Sequence, residues 1–358
     1  MGFAVHGNHG VTYWEKDRTF NGVTLYSTFG SPNTNLINMD GDVVHEWTAP
    51  DPAKPFFGYL RDNGNLLVRC FDGSEPYLHG GNGGVLVELD WDSNVVWRYD
   101  NPVIHHDHIV LRNGNIMVIG WEPMTAEEKE RVQGGYEELD DEGNEKEMLA
   151  DFLLELTPDK QVVWEWHGKD RLDPAQDMIC PMDTRSEWTH CNAVLELPDG
   201  NICLSFRQTS ELIFIDKGTG EVCWRFGPGE LFHQHNPTLL ANGNLLVFDN
   251  GEHRPKAAAT SRVVELDPAT KEIVWEYKGD PTASFYSTHI SGAQRLPNGN
   301  TLVCEGRPGR LFEVTADKDL VWEFMNPEIL EFREEKFNRA VFRARRYAVD
   351  GPEIRGRV

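Results

Sequence analysis

Apolar residues along this chain fall into short runs, and one kind of run recurs: DVVHEW (42–47), NVVWRY (94–99), QVVWEW (161–166), EVCWRF (221–226), EIVWEY (272–277) and DLVWEF (319–324). Each reads as a β-strand carrying a tryptophan near its end. Trp47, Trp97, Trp164, Trp224, Trp275 and Trp322 are separated by 50, 67, 60, 51 and 47 residues. Ahead of each lies a second apolar run closed by a turn, such as LVELDWDSN or VVELDPATKE. Five units also carry an Asx-Gly hairpin: LRDNGNLLV, LRNGNIMV, LELPDGNICL, LLANGNLLV and LPNGNTLV. Asn-Gly or Asp-Gly between alternating runs predicts a two-residue type I′ turn, in which both central residues take positive φ.

Each unit therefore reads as four short antiparallel strands. Six such units predict an all-β fold, a six-bladed β-propeller with four-stranded antiparallel blades over residues 1–325. A solenoid fits less well, because the period carries no helix. In blade 1 only TFNGVTLYSTFG (19–30) offers a hairpin, and the C-terminus is a candidate to supply the rest and close the ring. The tail, 326–358, has helix-forming composition followed by a basic extended piece, and is expected to pack on the propeller. Two insertions break the rhythm. Residues 122–151 carry twelve acids against three bases, and residues 167–189 link blades 3 and 4. The first is expected to be a solvated excursion, with a lid as the alternative.

A two-residue turn sets residues equidistant from it face to face. On that register His235 lies opposite Asn250, Asn192 opposite Arg207, His106 opposite Trp121, Ser291 opposite Gly306 and Phe56 opposite Phe71. These are the open ends of hairpins whose first strands line the channel. Strand alternation then turns His106, His190, Asn192, Arg207, His235, Asn250 and His289 toward one cavity, with His233 on the same face two residues before His235. One strand-end histidine is an ordinary structural residue; imidazoles converging from four blades make a site. Asp107 and Asp249 should face the other way, with Asp249 bracing its hairpin through backbone N–H groups. GGNGG (80–84) follows no strand–helix pattern and reads as a plain loop.

The ring suits either of two chemistries. A neutral imidazole is a competent nucleophile, and donors such as Arg207 and Asn192 stabilise a transferring anion. Alternatively His106, His190, His235 and His289 hold a divalent metal for a lyase or hydrolase. A non-catalytic binding scaffold is the third class.

Three stretches carry a family resemblance: EWTHCNAVLELPDGNICLSFRQTSELIFID (187–216), CWRFGPGELFHQHNPTLLANGNLLVFDNG (223–251) and YSTHISGAQRLPNGNTLVCEG (286–306). HHDHIVLRNGNIMVIG (105–120) matches more weakly. They resemble the PAPS-independent arylsulfate sulfotransferases, six-bladed propellers with a central histidine. The resemblance implies that His235 is the nucleophile carrying the sulfuryl group from an aryl sulfate to a phenolic acceptor. It implies that His190, Asn192, Arg207 and His106 bind the sulfate oxygens, and that no cofactor is required. Secreted members have a leader, an N-terminal β-sandwich and a disulfide, so this chain reads as a short form.

Composition narrows the partners. A net charge of −24 disfavours nucleic acid and anionic membranes, which need a Lys/Arg excess, and leaves a small anionic or aromatic substrate. The N-terminus shows neither the basic nor the apolar region of a secretory signal, and no run approaches a transmembrane length. The six cysteines have no CxxC spacing and sit mostly in apolar runs. That pattern fits reduced thiols and a cytoplasmic location.

Overall fold

In the computed structural model, which describes residues 7–77, 79–139, 143–332 and 335–358, the repeats fold into six antiparallel sheets. Blade 2 shows the plan. Lys54–Leu60 is the inner strand, followed outward by Leu66–Phe71, Val85–Leu89 and Val95–Asp100. Inner strands of the next four blades are Ile104–Val110, Cys191–Glu196, His235–Leu239 and Gly292–Arg295. The fold is a six-bladed β-propeller, and Gly10–Trp14 adds a fifth, outermost strand to blade 6.

The recurring tryptophans explain how neighbouring sheets hold together. Each outer-strand indole N–H donates to a backbone carbonyl in the outer turn of the following blade. Trp47 reaches Asp90, Trp97 Pro158, Trp164 Lys217, Trp224 Pro268 and Trp275 Ala316, and Trp322 returns to Met39 of blade 1, all at 2.8–3.1 Å. Inside that circle, apolar side chains from facing blades form one core per interface. Trp47, Leu36, Val68 and Val87 fill the junction of blades 1 and 2, for example, and Ile37, Leu302, Leu311 and Trp322 that of blades 6 and 1.

Two expectations are corrected here. The Asx-Gly hairpins are three-residue loops rather than two-residue type I′ turns. Leu240 N–H donates to Asn244 O, Gly243 N–H donates to Leu240 O, and the same pair of bonds recurs in the other four. Only the glycine is left-handed, as at Gly243 (φ +89°). The Asx side chain instead accepts from the residue after the glycine, as Asn242 Oδ1 does from Asn244 N–H. A type I turn with a glycine bulge has this form. It moves every register by one residue, and bulges in the inner strands move it again. His235 therefore pairs with Phe248, not Asn250, and Asn192, instead of facing Arg207, is skipped between Cys191, paired with Phe206, and Ala193, paired with Ser205. His106 falls in a bulge between His105, paired with Ile119, and His108, paired with Val118. Phe56 is likewise skipped between Pro55 and Phe57.

The second correction concerns the first part of the tail, which carries strands where its composition predicts helix, while the basic piece is extended as expected. Leu330–Phe332 pairs with Glu335–Asn338, and Val341–Ala348 pairs with Gly22–Thr28 as the inner strand of blade 1. The C-terminus thus closes the ring. Arg343 and Arg346 of this strand are buried and paired with Asp107 of blade 3 (3.2 Å) and Glu313 of blade 6 (2.5 Å). The acidic insertion is ordered where it is described. Thr125 and Glu128 form a capping box on helix Ala126–Arg131, and Gly134–Tyr136 pairs in parallel with Ile179–Thr184 of the second insertion. No helix among the described residues is long and apolar enough to cross a membrane.

Candidate functional site

At one mouth of the channel a cavity of about 740 Å³ is lined by His106, His190, Arg207 and His235, with His289 and Arg307 at its side. The hairpin of the tail contributes Phe332, Glu335 and Asn338, and its inner strand Phe342. Asp107 and Arg343 line a second cavity of about 790 Å³, while their chain neighbours His106 and Phe342 line the first. Their ion pair therefore lies between the two. Asp107 also accepts from Tyr59 Oη and from the N–H groups of His108 and Val194, which leaves it little freedom to act on a ligand.

The imidazoles are held from behind. Asn250 donates through Nδ2 to the carbonyls of Ser287 and Ile290, so its Oδ1 must face His235 Nδ1, 2.7 Å away, as acceptor. His235 therefore carries its proton on Nδ1, and Nε2 holds the lone pair. That lone pair accepts from Ile290 N–H at 3.2 Å. Burial pushes His235 well below the ordinary imidazole range, and the nearby Arg207 charge acts in the same direction. Burial also pushes His106 well down, helped by His190 and His105. Both rings are neutral at pH 7.

His190 differs, because its Nδ1 lies 2.9 Å from Glu187 Oε2. Burial would raise that carboxyl, but the hydrogen bond with His190 and the neighbouring His79 and His105 together hold Glu187 below its ordinary value. The rings of His106 and His190 meet edge to face, 4.4 Å between centroids. Behind them His105 Nδ1 contacts His106 Nδ1 at 2.8 Å and His105 Nε2 lies 3.0 Å from Asp151 Oδ1. Imidazoles and the guanidinium groups of Arg207 and Arg307 therefore surround the space, with the carboxylates of Glu252 and Glu335 beside those two arginines.

The sequence profile of the arylsulfotransferase (ASST) family matches residues 62–327, which takes in all the site histidines. The chain belongs to the arylsulfotransferase family. No curated protein matches it. Many solved structures share the architecture, and two serve as examples. One is a protein of unknown function from Bacteroides caccae, 14% identical with a TM-score of 0.57 over 91% of this chain and 98% of that one. The other is a streptogramin B lyase, 13% identical with a TM-score of 0.51 over 95% and 93%. At these identities the likeness carries the fold alone.

Within this arylsulfotransferase fold, His106, His190, Arg207, His235 and His289 all reach the cavity. Asn192 and Asn250 stand one layer back. Asn192 Nδ2 donates to Gln234 O, while Asn250 fixes the His235 tautomer. Trp121, expected to face a substrate, is buried and stacked on His105 at 3.9 Å. His233, expected on the same face as His235, turns away to Asp183, 2.5 Å from its Nε2. The reason is local. His233 and Asn236 are left-handed (φ +58° and +50°), and strict alternation fails where the backbone leaves the pleat. Asp249 braces its hairpin as expected, accepting from Phe232 N–H.

Sequence reasoning missed Glu187, Asp151, Arg307 and the glycine loop. Gly81 O accepts from His106 N–H, and GGNGG is thus a wall of the site rather than a plain loop. Gly81 is left-handed (φ +83°), and a Cβ there would lie 2.3 Å from the His106 ring. Gly81→Ala is expected to cost about 1–3 kcal/mol in backbone strain, and more from displacing His106. Thermal melts should show a drop of a few degrees together with weaker binding of an anionic ligand.

Proposed function

We propose that this chain transfers sulfuryl groups from an aryl sulfate to a phenolic acceptor through a sulfohistidine on His235. The observation that carries the reading is the tautomer imposed by Asn250, which leaves the Nε2 lone pair of a neutral ring in a cavity shared with Arg207. Membership of the family supports the same class of chemistry.

His235 Nε2 attacks sulfur, forming an N–S bond as the S–O bond to the aryl group breaks. The phenolate leaves with a proton from His190, whose ring Glu187 supports from behind. The acceptor phenol then returns a proton to His190 and attacks the same sulfur, releasing His235. Arg207 and the imidazole N–H groups face the sulfate oxygens, where one fixed donor is worth roughly 3–4 kcal/mol. The incoming group takes the place of Ile290 N–H on His235 Nε2, and that freed N–H becomes a further donor. Division into two half-reactions is what a covalent intermediate provides.

The test is kinetic. Initial rates at several fixed acceptor concentrations, with an aryl sulfate donor varied, are expected to give parallel double-reciprocal lines. Converging lines would require both substrates in the cavity together and would exclude the sulfohistidine path.

A further inference from the structure

The turn that removes His233 from the axial cavity brings it into a second cluster. His233 Nε2 lies 2.5 Å from Asp183 Oδ2, Cys180 Sγ lies 3.5 Å from His253 Nδ1, and His253 Nδ1 lies 3.8 Å from Asp183 Oδ1. One ligand atom from each of the four residues falls within 4.8 Å of the others. A tetrahedral ion with bonds of about 2.0–2.3 Å separates its ligand atoms by roughly 3.3–3.8 Å, so small side-chain shifts close the set around a metal.

We propose that Cys180, Asp183, His233 and His253 form a binding site for a zinc-like divalent cation, separate from the imidazole ring on the axis. Three observations converge on it. The donors are one sulfur, one carboxylate and two imidazole nitrogens, the set that tetrahedral zinc selects. His233 Nδ1 lies 3.0 Å from the Glu252 carbonyl; a carbonyl only accepts, so Nδ1 carries a proton and Nε2 is the nitrogen left to bind a metal, the arrangement usual for metal-bound histidines. His233 Nε2 and an Asp183 carboxylate oxygen are held 2.5 Å apart by a hydrogen bond, and a divalent cation takes the place of that single proton.

The chain's topology gives the site a purpose. Cys180 and Asp183 sit on Ile179–Thr184, the insertion strand that pairs with the acidic insertion, whereas His233 and His253 belong to blade 5. An ion here pins both insertions to the propeller beside the cavity. Asp183 also lies 3.3 Å from Arg207 Nη1, so the ion helps to set where that guanidinium stands. Arg207 keeps a second partner in Glu252, 3.5 Å away, and the thiolate and carboxylate balance the incoming charge. Cys180 and His253 are only half-buried, which leaves a way in.

The full-length chain, stripped by a chelator, is titrated with Zn²⁺ against a chromophoric competitor and separately with Co²⁺. We expect one equivalent of zinc and a thiolate-to-cobalt charge-transfer band. Cys180→Ser should erase the band, and Cys180→Ser and His253→Ala should each weaken zinc at least about tenfold. Cys180→Ser should melt at the same temperature as the stripped parent, which separates lost binding from lost folding. His106→Ala should bind zinc as the parent does. Zinc affinity unchanged in both Cys180→Ser and His253→Ala, no binding by the parent, or binding lost with His106→Ala would overturn the proposal.

Discussion

His235→Ala is expected to lower sulfuryl transfer by about three orders of magnitude or more and to eliminate the covalent adduct. After incubation with an aryl sulfate and no acceptor, intact mass should show the parent chain heavier by one SO3 group and the variant unmodified. Arg207→Ala is the informative contrast. It removes a donor but keeps the nucleophile, so the adduct should still form, roughly 10²–10³-fold more slowly. An adduct that persists in His235→Ala would move the nucleophile to another imidazole of the ring. Acidity supplies an independent check. Burial depresses His235, so the ring stays neutral as pH falls from about 8 through the ordinary imidazole value of about 6.5. The nucleophile should therefore place no acid limb near 6.5 on adduct formation, its own loss on the acid side coming only below the depressed value. An acid limb near 6.5 would instead indicate a nucleophile other than the buried His235.

Removal of residues 339–358 is expected to prevent folding altogether. The inner strand of blade 1 buries Val341, Phe342 and Tyr347, at roughly 1.5–3 kcal/mol each, together about 5–9 kcal/mol. Its loss also strands Asp107 and Glu313, whose buried partners are Arg343 and Arg346. Removing one member of a buried pair costs about 3–5 kcal/mol. The total, about 11–19 kcal/mol, matches or exceeds the net stability of about 5–15 kcal/mol typical of folded proteins. Circular dichroism of the truncated chain should show no cooperative melt. Arg343→Leu isolates one pair and should cost about 3–5 kcal/mol in denaturant unfolding. A truncated chain that melts cooperatively near the parent temperature would mean that the strand contributes little to closure.

The architecture was legible because its signals are local. A tryptophan in the outer strand and a glycine in the first hairpin recur in the same order, and each has a fixed physical role, since the indole N–H bridges blades and the glycine takes positive φ. The axial residues were legible for the same reason, since His106, His190, Arg207 and His235 flank the ends of recognisable hairpins. Register was less so. Both hairpin types use Asn-Gly, and only the backbone hydrogen bonds separate them. The left-handed residues His233 and Asn236 have no compositional signature, so His233 was turned to the wrong side. Contacts such as Cys180 with His253, and Gly81 with His106, join segments far apart along the chain, and nothing in either segment alone announces the partner. The tail misled only in its first part, where helix formers such as Glu331, Glu335 and Lys336 are strand residues; the basic piece is extended as read, with Arg343 and Arg346 kept in the interior by buried acids.

The circle of indole bonds also bears on how such a molecule can change in size. An open array of repeats can gain or lose a unit and stay folded. Here the sixth blade hands its bond back to the first, so deleting a sheet would break the chain of donors and acceptors at two places and leave a gap in the wheel. Additional length is tolerated only where the polypeptide departs from the rim, and the two long excursions, at 122–151 and 167–189, lie in that position. Novelty in ligand choice is thereby channelled into such segments, whose Tyr136, Glu138 and Asp183 share a hollow with His190 and Arg207, while the wheel stays constant.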